Sequence, residues 1–138
     1  MHFVMDEAAV TAFLAEHFPQ VAGSFAVEEM GEEFVVRLRV DESHLRPGGT
    51  VSGPSMFLLV DVAVYLAILA RVGPVMLAVT TSASIDFLRK PAAGRDLLAR
   101  VRLLKLGRVL AVGDVLIFSE GEGQPVARAS ATYSLPPR

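Results

Sequence analysis

The sequence contains no cysteine. Disulfide frameworks, thiolate metal sites and cysteine nucleophiles are thereby excluded. Nor is there an excess of positive charge. Thirteen Lys and Arg stand against 15 Asp and Glu, for a net charge of −2, so the overall electrostatic footprint of a nucleic-acid binder is missing. The three histidines, His2, His17 and His44, are scattered. No His, Asp or Glu set has the spacing of a metal site, and no metal is expected. The opening MHFVMDEAAV has no basic leader before an apolar stretch, so no signal peptide and a cytoplasmic location are expected. The most apolar stretch, Met56 to Ala70, is 15 residues long and carries Asp61 near its middle. A spanning helix needs about 20 apolar residues, and a central carboxylate is costly in lipid. No membrane partner is expected.

What is present is a core-forming composition. The 138 residues are 52% hydrophobic and 20% charged, which fits one domain over 1–138. The mean hydropathy of +0.47 is high for so short a chain and points to further burial in an oligomer. Residues 1–20 read as an N-terminal helical segment. Val10, Phe13 and Leu14 share one face of DEAAVTAFLAEH, and Pro19 ends the pattern. Phe25 to Val40 reads as two strands turning at Gly31. The Gly- and Pro-rich stretch 41–55 is a loop, and it leads into a helix over 54–72 that is apolar on nearly all sides and therefore enclosed. Gly73-Pro74 stops it. Four strands follow: Met76 to Arg89, Asp96 to Leu106, Val109 to Ser119 and Val126 to Leu135. Strict alternation in the first puts Leu77, Val79, Ala83, Ile85 and Phe87 on one face and Thr80 on the other. In the second it sets Leu97, Ala99, Val101 and Leu103 opposite Arg100 and Arg102, and in the last Ala127, Ala129, Ala131 and Tyr133 opposite Arg128, Ser130 and Thr132. The order predicts an α+β domain in which one antiparallel sheet packs against the central helix.

Asp61 is the most informative residue. A carboxylate within an apolar helix is expensive to bury unless paired or protonated. As a functional group it would be a general base or nucleophile. As a structural group it is an interface carboxylate bonded to Tyr65 one turn on, or to Thr and Ser hydroxyls. Gly48 to Gly53 allows close backbone approach to a ligand, and the free N–H groups at the helix start suit a polarised carbonyl. Pro54 has no N–H, which leaves Gly53 or Ser55 as donor. Ser52 lies outside any G-x-S-x-G setting and suits helix capping or a ligand contact better than nucleophilic attack. Arg89, Lys90 and Arg108 sit at strand ends, as solvated charges or as a cradle for anionic phosphates. His44 and Arg46 stand beside the glycines as surface or site-entrance residues. A pocket lined by Met56, Phe57, Leu58 and Tyr65 would take an apolar acyl group.

Together these residues resemble the hotdog-fold acyl-CoA thioesterases of the PaaI-like (phenylacetyl-CoA thioesterase-like) family. That family shows an H-G-G turn, a helix with an Asp nine residues after the His, a V-T strand, an F/Y-L-R-x-A turn and a strand pair joined by G-R. The corresponding pieces are Ser52-Gly53-Pro54, Asp61, Val79-Thr80, Phe87 to Ala92, and Gly107-Arg108. They run in order across roughly Phe25 to Leu135. Two residues depart from the pattern: Ser52 replaces the His and Pro54 the second Gly. The upstream polar residue, usually Asn, falls near Arg46.

The resemblance implies a curved antiparallel sheet wrapped around a long central helix, and homo-oligomers, dimers often paired into tetramers, with sites between subunits. It implies hydrolysis of an acyl-CoA thioester to free acid and CoA, with no cofactor beyond the CoA of the substrate. Asp61 would activate water or attack the carbonyl. The Gly53 N–H would hold the thioester oxygen. Thr80, from the partner subunit, would place the water. Arg46, Tyr65, Arg89, Lys90 and Arg108 would bind substrate or CoA. The Ser52 and Pro54 departures motivate an alternative, a hotdog protein that holds acyl-CoA without turning it over. A hotdog dehydratase would need a His on the central helix, and none of the three is there.

Overall fold

The computed structural model describes residues 2–137. Helix α1 spans Glu7–His17, and a one-turn helix α2 spans Pro19–Ala22. Asp6 caps α1 by accepting the Ala9 N–H at 2.8 Å, which satisfies one of the unpaired donors of a helix start. Pro19 does end α1, but it also opens α2, because proline is favoured at a first helical position. Strands β1 (Phe25–Met30) and β2 (Phe34–Leu38) form the expected hairpin.

The loop that follows is more ordered than its composition suggests. A 3-10 turn, Glu42–His44, is capped by Asp41, whose backbone N–H donates to His44 Nδ1 at 2.9 Å. His44 is buried, so it props the loop and is not a surface or entrance residue. An isolated bridge, Leu45 to Val51, closes the glycine turn.

The central helix α3 runs Gly53–Val72. It begins one residue before Pro54 because Ser52 is the cap: its Oγ accepts the Ser55 N–H at 3.2 Å. Gly73 ends α3 at φ 98°, a left-handed conformation that glycine adopts without a Cβ clash. By length and composition α3 would also pass as a membrane-crossing helix. Here it is the core, with Leu59, Val60, Leu66, Ile68 and Leu69 at 1% exposure or less. Each such side chain contributes roughly 2 kcal/mol of hydrophobic stabilisation.

Strands β3 (Val79–Phe87), β4 (Leu97–Leu106), β5 (Leu110–Ser119) and β6 (Ala127–Ser134) complete one antiparallel sheet of order β1-β2-β4-β5-β6-β3. The sheet curves around α3, in the hotdog arrangement expected. The inward residues follow the sequence alternation: Leu97, Ala99 and Val101 on β4, and Ala127, Ala129, Ala131 and Tyr133 on β6, are all buried. On β5, Gly113 allows close approach to the helix, since a Cβ there would lie 3.0 Å from a Val64 methyl carbon.

Strand β3 is shorter than the expected Met76 to Arg89 and ends the sheet. Its residues are exposed or half-buried throughout. A bulge between Thr80 and Ser82 adds one residue and reverses the facing of everything before it. Thr80 therefore pairs with Tyr133 and shares its inward face, in phase with Ala83 opposite Ala131. This corrects the strict alternation, which put Val79 inside and Thr80 outside.

An ion cluster ties the strand ends at the other side of the sheet. Arg37 donates to Asp96 at 2.8 Å, to Glu120 at 2.6 Å and to Glu28 at 2.8 Å. Those bonds push the guanidinium further up and keep it charged. Arg37 holds Glu120 below the usual carboxylate range. Partial burial alone would raise Asp96, but the Val40 N–H and Arg37 outweigh it and hold it low as well. Depressed carboxylates contribute stability above their ordinary range and lose it as pH falls through their folded values. Arg37→Met is therefore expected to lower the Tm at pH 7, with the gap to the parent narrowing below about pH 4. Thermal melts across pH 3 to 7 check this; a gap independent of pH would exclude the ionic account.

Candidate active site

Asp61 is the ninth of the 20 residues of α3, half-buried, where the start of β3 and the end of β6 meet the helix. Two hydroxyls converge on one of its oxygens. Thr80 Oγ1 lies 2.5 Å from Asp61 Oδ1 and the Tyr133 phenol 2.6 Å from the same atom. The Tyr133 oxygen is also 2.7 Å from the Asp61 carbonyl. Asp61 Oδ2 accepts no hydrogen bond among the described residues. No buried side-chain oxygen there lacks a partner, so Oδ2 must be open to solvent. The carboxylate has one oxygen held and one presented.

Oδ2 opens into a cleft of about 390 Å³. Its walls are Phe13, Leu14 and Phe18 from the N-terminal helices, Val62 and Tyr65 from α3, and Met76 from the turn before β3. Tyr65 stacks on Tyr133 at 6.0 Å between ring centroids and tilts against Phe13 at 6.4 Å. Burial pushes the Tyr65 phenol up, and its hydroxyl donates to the Val75 carbonyl at 3.2 Å. Tyr65 is thus a wall of the cleft and not the partner of Asp61. Burial, followed by the charge of Asp61 and the hydrogen bond to it, pushes the Tyr133 phenol up far more strongly. Tyr133 remains a proton donor at any working pH.

Gly53, Arg46, Arg89 and Lys90 gather elsewhere. They line a second cleft of about 370 Å³ with Met56 and Phe87. Gly53 is eight residues before Asp61 on the same helix, about 12 Å along its axis. No hydrogen bond occupies the Gly53 N–H among the described residues, and the Phe87 ring closes over its α-carbon. Arg89 is anchored through Nε to the Pro125 carbonyl at 3.0 Å. The Ser52 hydroxyl is engaged in the cap and in a 2.9 Å bond to Ser55. Arg108 is exposed at the β4–β5 turn, at the same end of the sheet as the start of β3, with β6 between that turn and β3. Arg89 and Lys90 follow its end, about 25 Å away along the strand.

The sequence-derived set therefore falls into two groups within one chain. Asp61, Thr80 and Tyr65 are together, and Gly53, Arg46, Arg89 and Lys90 are together. Thr80 bonds the Asp61 of its own chain, so no partner subunit is needed to join those two. Of the four residues expected to line an acyl pocket, Tyr65 faces the Asp61 cleft, Met56 faces the other, and Phe57 and Leu58 line neither. Tyr133, Phe13 and His17 are site residues that the sequence pattern did not single out. The signal for Tyr133 was present: it is the sole hydroxyl-bearing residue on the inward face Ala127, Ala129, Ala131, Tyr133. Among the described residues, no three His, Asp or Glu side chains come together as a metal site.

Comparisons with known proteins bear on this geometry. A sequence model of the thioesterase superfamily matches residues 48–126, a span that holds Gly53, Asp61, Thr80 and the Arg89-Lys90 turn. A Pseudomonas aeruginosa protein provisionally named an esterase is 33% identical over 112 residues, 81% of this chain and 82% of that protein. A crystal structure from Silicibacter sp. TM1040, provisionally titled a thioesterase, is 59% identical, with a TM-score of 0.93 over 99% of this chain and 96% of that one. A point mutant of the phenylacetic acid degradation protein PaaI from Thermus thermophilus is 32% identical, with a TM-score of 0.70 over 84% of this chain and 97% of that one.

Proposed function

The chain belongs to the thioesterase superfamily, and from that premise we propose that it hydrolyses acyl-CoA thioesters with Asp61 as the general base. The observation that carries this reading is the single open oxygen, Oδ2, of a carboxylate whose other oxygen is held by two hydroxyls. The cleft beside it has aromatic and aliphatic walls, with His17, Thr80 and Tyr133 among its polar groups. In this reading Oδ2 takes a proton from a water molecule, and the hydroxide attacks the thioester carbonyl carbon. The tetrahedral oxyanion then collapses, the C–S bond breaks, and the CoA thiolate leaves and takes up the proton that Asp61 removed from water, which restores the carboxylate. Free acid and CoA are the products.

The oxyanion needs a donor near the reacting carbon, and the Gly53 N–H of the same chain is too distant. Strand β3 suggests how the two groups meet. It is an open edge with no proline or lysine to blunt it, and Val79 and Phe87 are exposed along it. Such an edge favours pairing with another chain. Two-fold antiparallel pairing about the middle of β3 would bring the start of one strand to the end of the other. Asp61 would then face the partner subunit's Gly53. Arg108 would join the partner subunit's Arg46, Arg89 and Lys90, a basic group suited to the phosphates of CoA. Homo-oligomerisation is in this view a requirement of the chemistry as well as of the apolar surface.

Two measurements test the reading. Thiol release from a panel of acyl-CoAs is expected in the parent, with kcat reduced on the order of 10²-fold or more in Asp61→Ala. Equal rates would remove Asp61 from the chemistry. Binding of acyl-CoA without release by the parent would leave a holding protein of the same fold. Sedimentation equilibrium is expected to give at least two chains per particle, and an active monomer would sink the shared site.

A further inference from the structure

The buried phenol of Tyr133 plays no part in the reaction just described, nor does the resemblance to the PaaI-like family assign it one. Its placement is nevertheless specific. Three alanines precede it on the inward face of β6, leaving room beside the helix, and then a full phenol ring fills the space against α3 at 3% exposure. Its oxygen lies within hydrogen-bond distance of two acceptors of one residue, Asp61 Oδ1 and the Asp61 carbonyl. The ring is stacked on Tyr65, so it has little freedom to swing away. Thr80 approaches the same Oδ1 but stands at the exposed start of an edge strand, a position with much weaker support.

We propose that Tyr133 is the positioning residue for Asp61: by donating to Oδ1 from a fixed ring, it holds the carboxylate in the orientation that presents Oδ2 to the cleft. The inference rests on the assignment of Asp61 as general base. Asp61 can otherwise rotate about its side-chain torsions, exchange its two oxygens, or turn toward solvent. A base that is free to rotate spends only part of its time in reach of the water and the thioester carbon, and small misplacements of a catalytic group lower rates steeply. Tyr133 stands in the cleft wall but is only 3% exposed, so its hydroxyl acts through the carboxylate, on kcat far more than on ground-state binding.

The test is a kinetic cycle on the full-length protein with Asp61→Ala, Tyr133→Phe and the double variant, using thiol release from the best acyl-CoA of the panel and thermal melts of each variant. Phenylalanine keeps the ring, its burial and its stacking, and removes the hydroxyl alone. Tyr133→Phe is expected to lower kcat about 10- to 100-fold, with KM within about 2-fold of the parent and the Tm within a few degrees. In the Asp61→Ala background the same change is expected to have no further effect, because the group it positions is gone. If Asp61→Ala is as active as the parent, the assignment of the base fails and this inference with it. If Asp61→Ala is inactive while Tyr133→Phe retains parental kcat, the positioning role alone is overturned. A Tyr133→Phe variant whose kcat, KM and Tm all collapse together would mark a tyrosine that supports the fold, and that result also overturns the proposal.

Discussion

An apolar helix that must be kept from water on almost every side is the constraint from which the rest of the architecture follows. α3 has no polar stripe to turn outward, so the sheet curves around it and presents small or branched residues to it. Alanines fill the inward face of β6, and Gly113 lets β5 come into contact. Enclosure of this kind makes any polar group on α3 conspicuous. Asp61 is tolerated because it lies at the boundary of the core. Two hydroxyls satisfy one oxygen there and the cleft admits solvent to the other.

A single inserted residue decides what surrounds that carboxylate. Without the bulge at Thr80 and Ser82, the start of β3 would keep the phase of its second half, Thr81 would stand opposite Tyr133, and Val79 would share that inward face while Thr80 turned away from Asp61. With it, Thr80 turns inward beside Tyr133. Bulges re-aim side chains in this way at little cost to the rest of a strand. An edge strand is a suitable place for one, since only one neighbour's register is disturbed. The same edge position leaves β3 exposed, so the element that completes the Asp61 cluster also offers the surface for a second chain.

Much of the fold could be read from the residues in order. Enclosure of the central helix followed from its all-round apolarity, and the inward faces of β4 and β6 followed from simple alternation, because each is governed by local periodicity against one core. Asp61 stood out for the same reason, as a charge in the wrong solvent. Other features were hidden. His44 looked like a loop surface residue, yet it is buried because its ring accepts a backbone N–H that caps a turn. Tyr133 looked like one more inward residue of β6, and its hydroxyl acquires meaning only from being opposite Asp61, 72 residues earlier.

By itself, the sequence determined the class of fold, the enclosed helix and the presence of one anomalous carboxylate within it. These depend on hydrophobic burial and on the periods of helix and strand, which are written into neighbouring residues. The tertiary structure alone decided which hydroxyls meet that carboxylate, which of its oxygens stays open, and that Gly53 with its basic neighbours lies in a separate cleft. Those outcomes depend on strand register, on one bulge and on distances along α3. They come from contacts between residues far apart in the chain, and no local pattern of side chains encodes them.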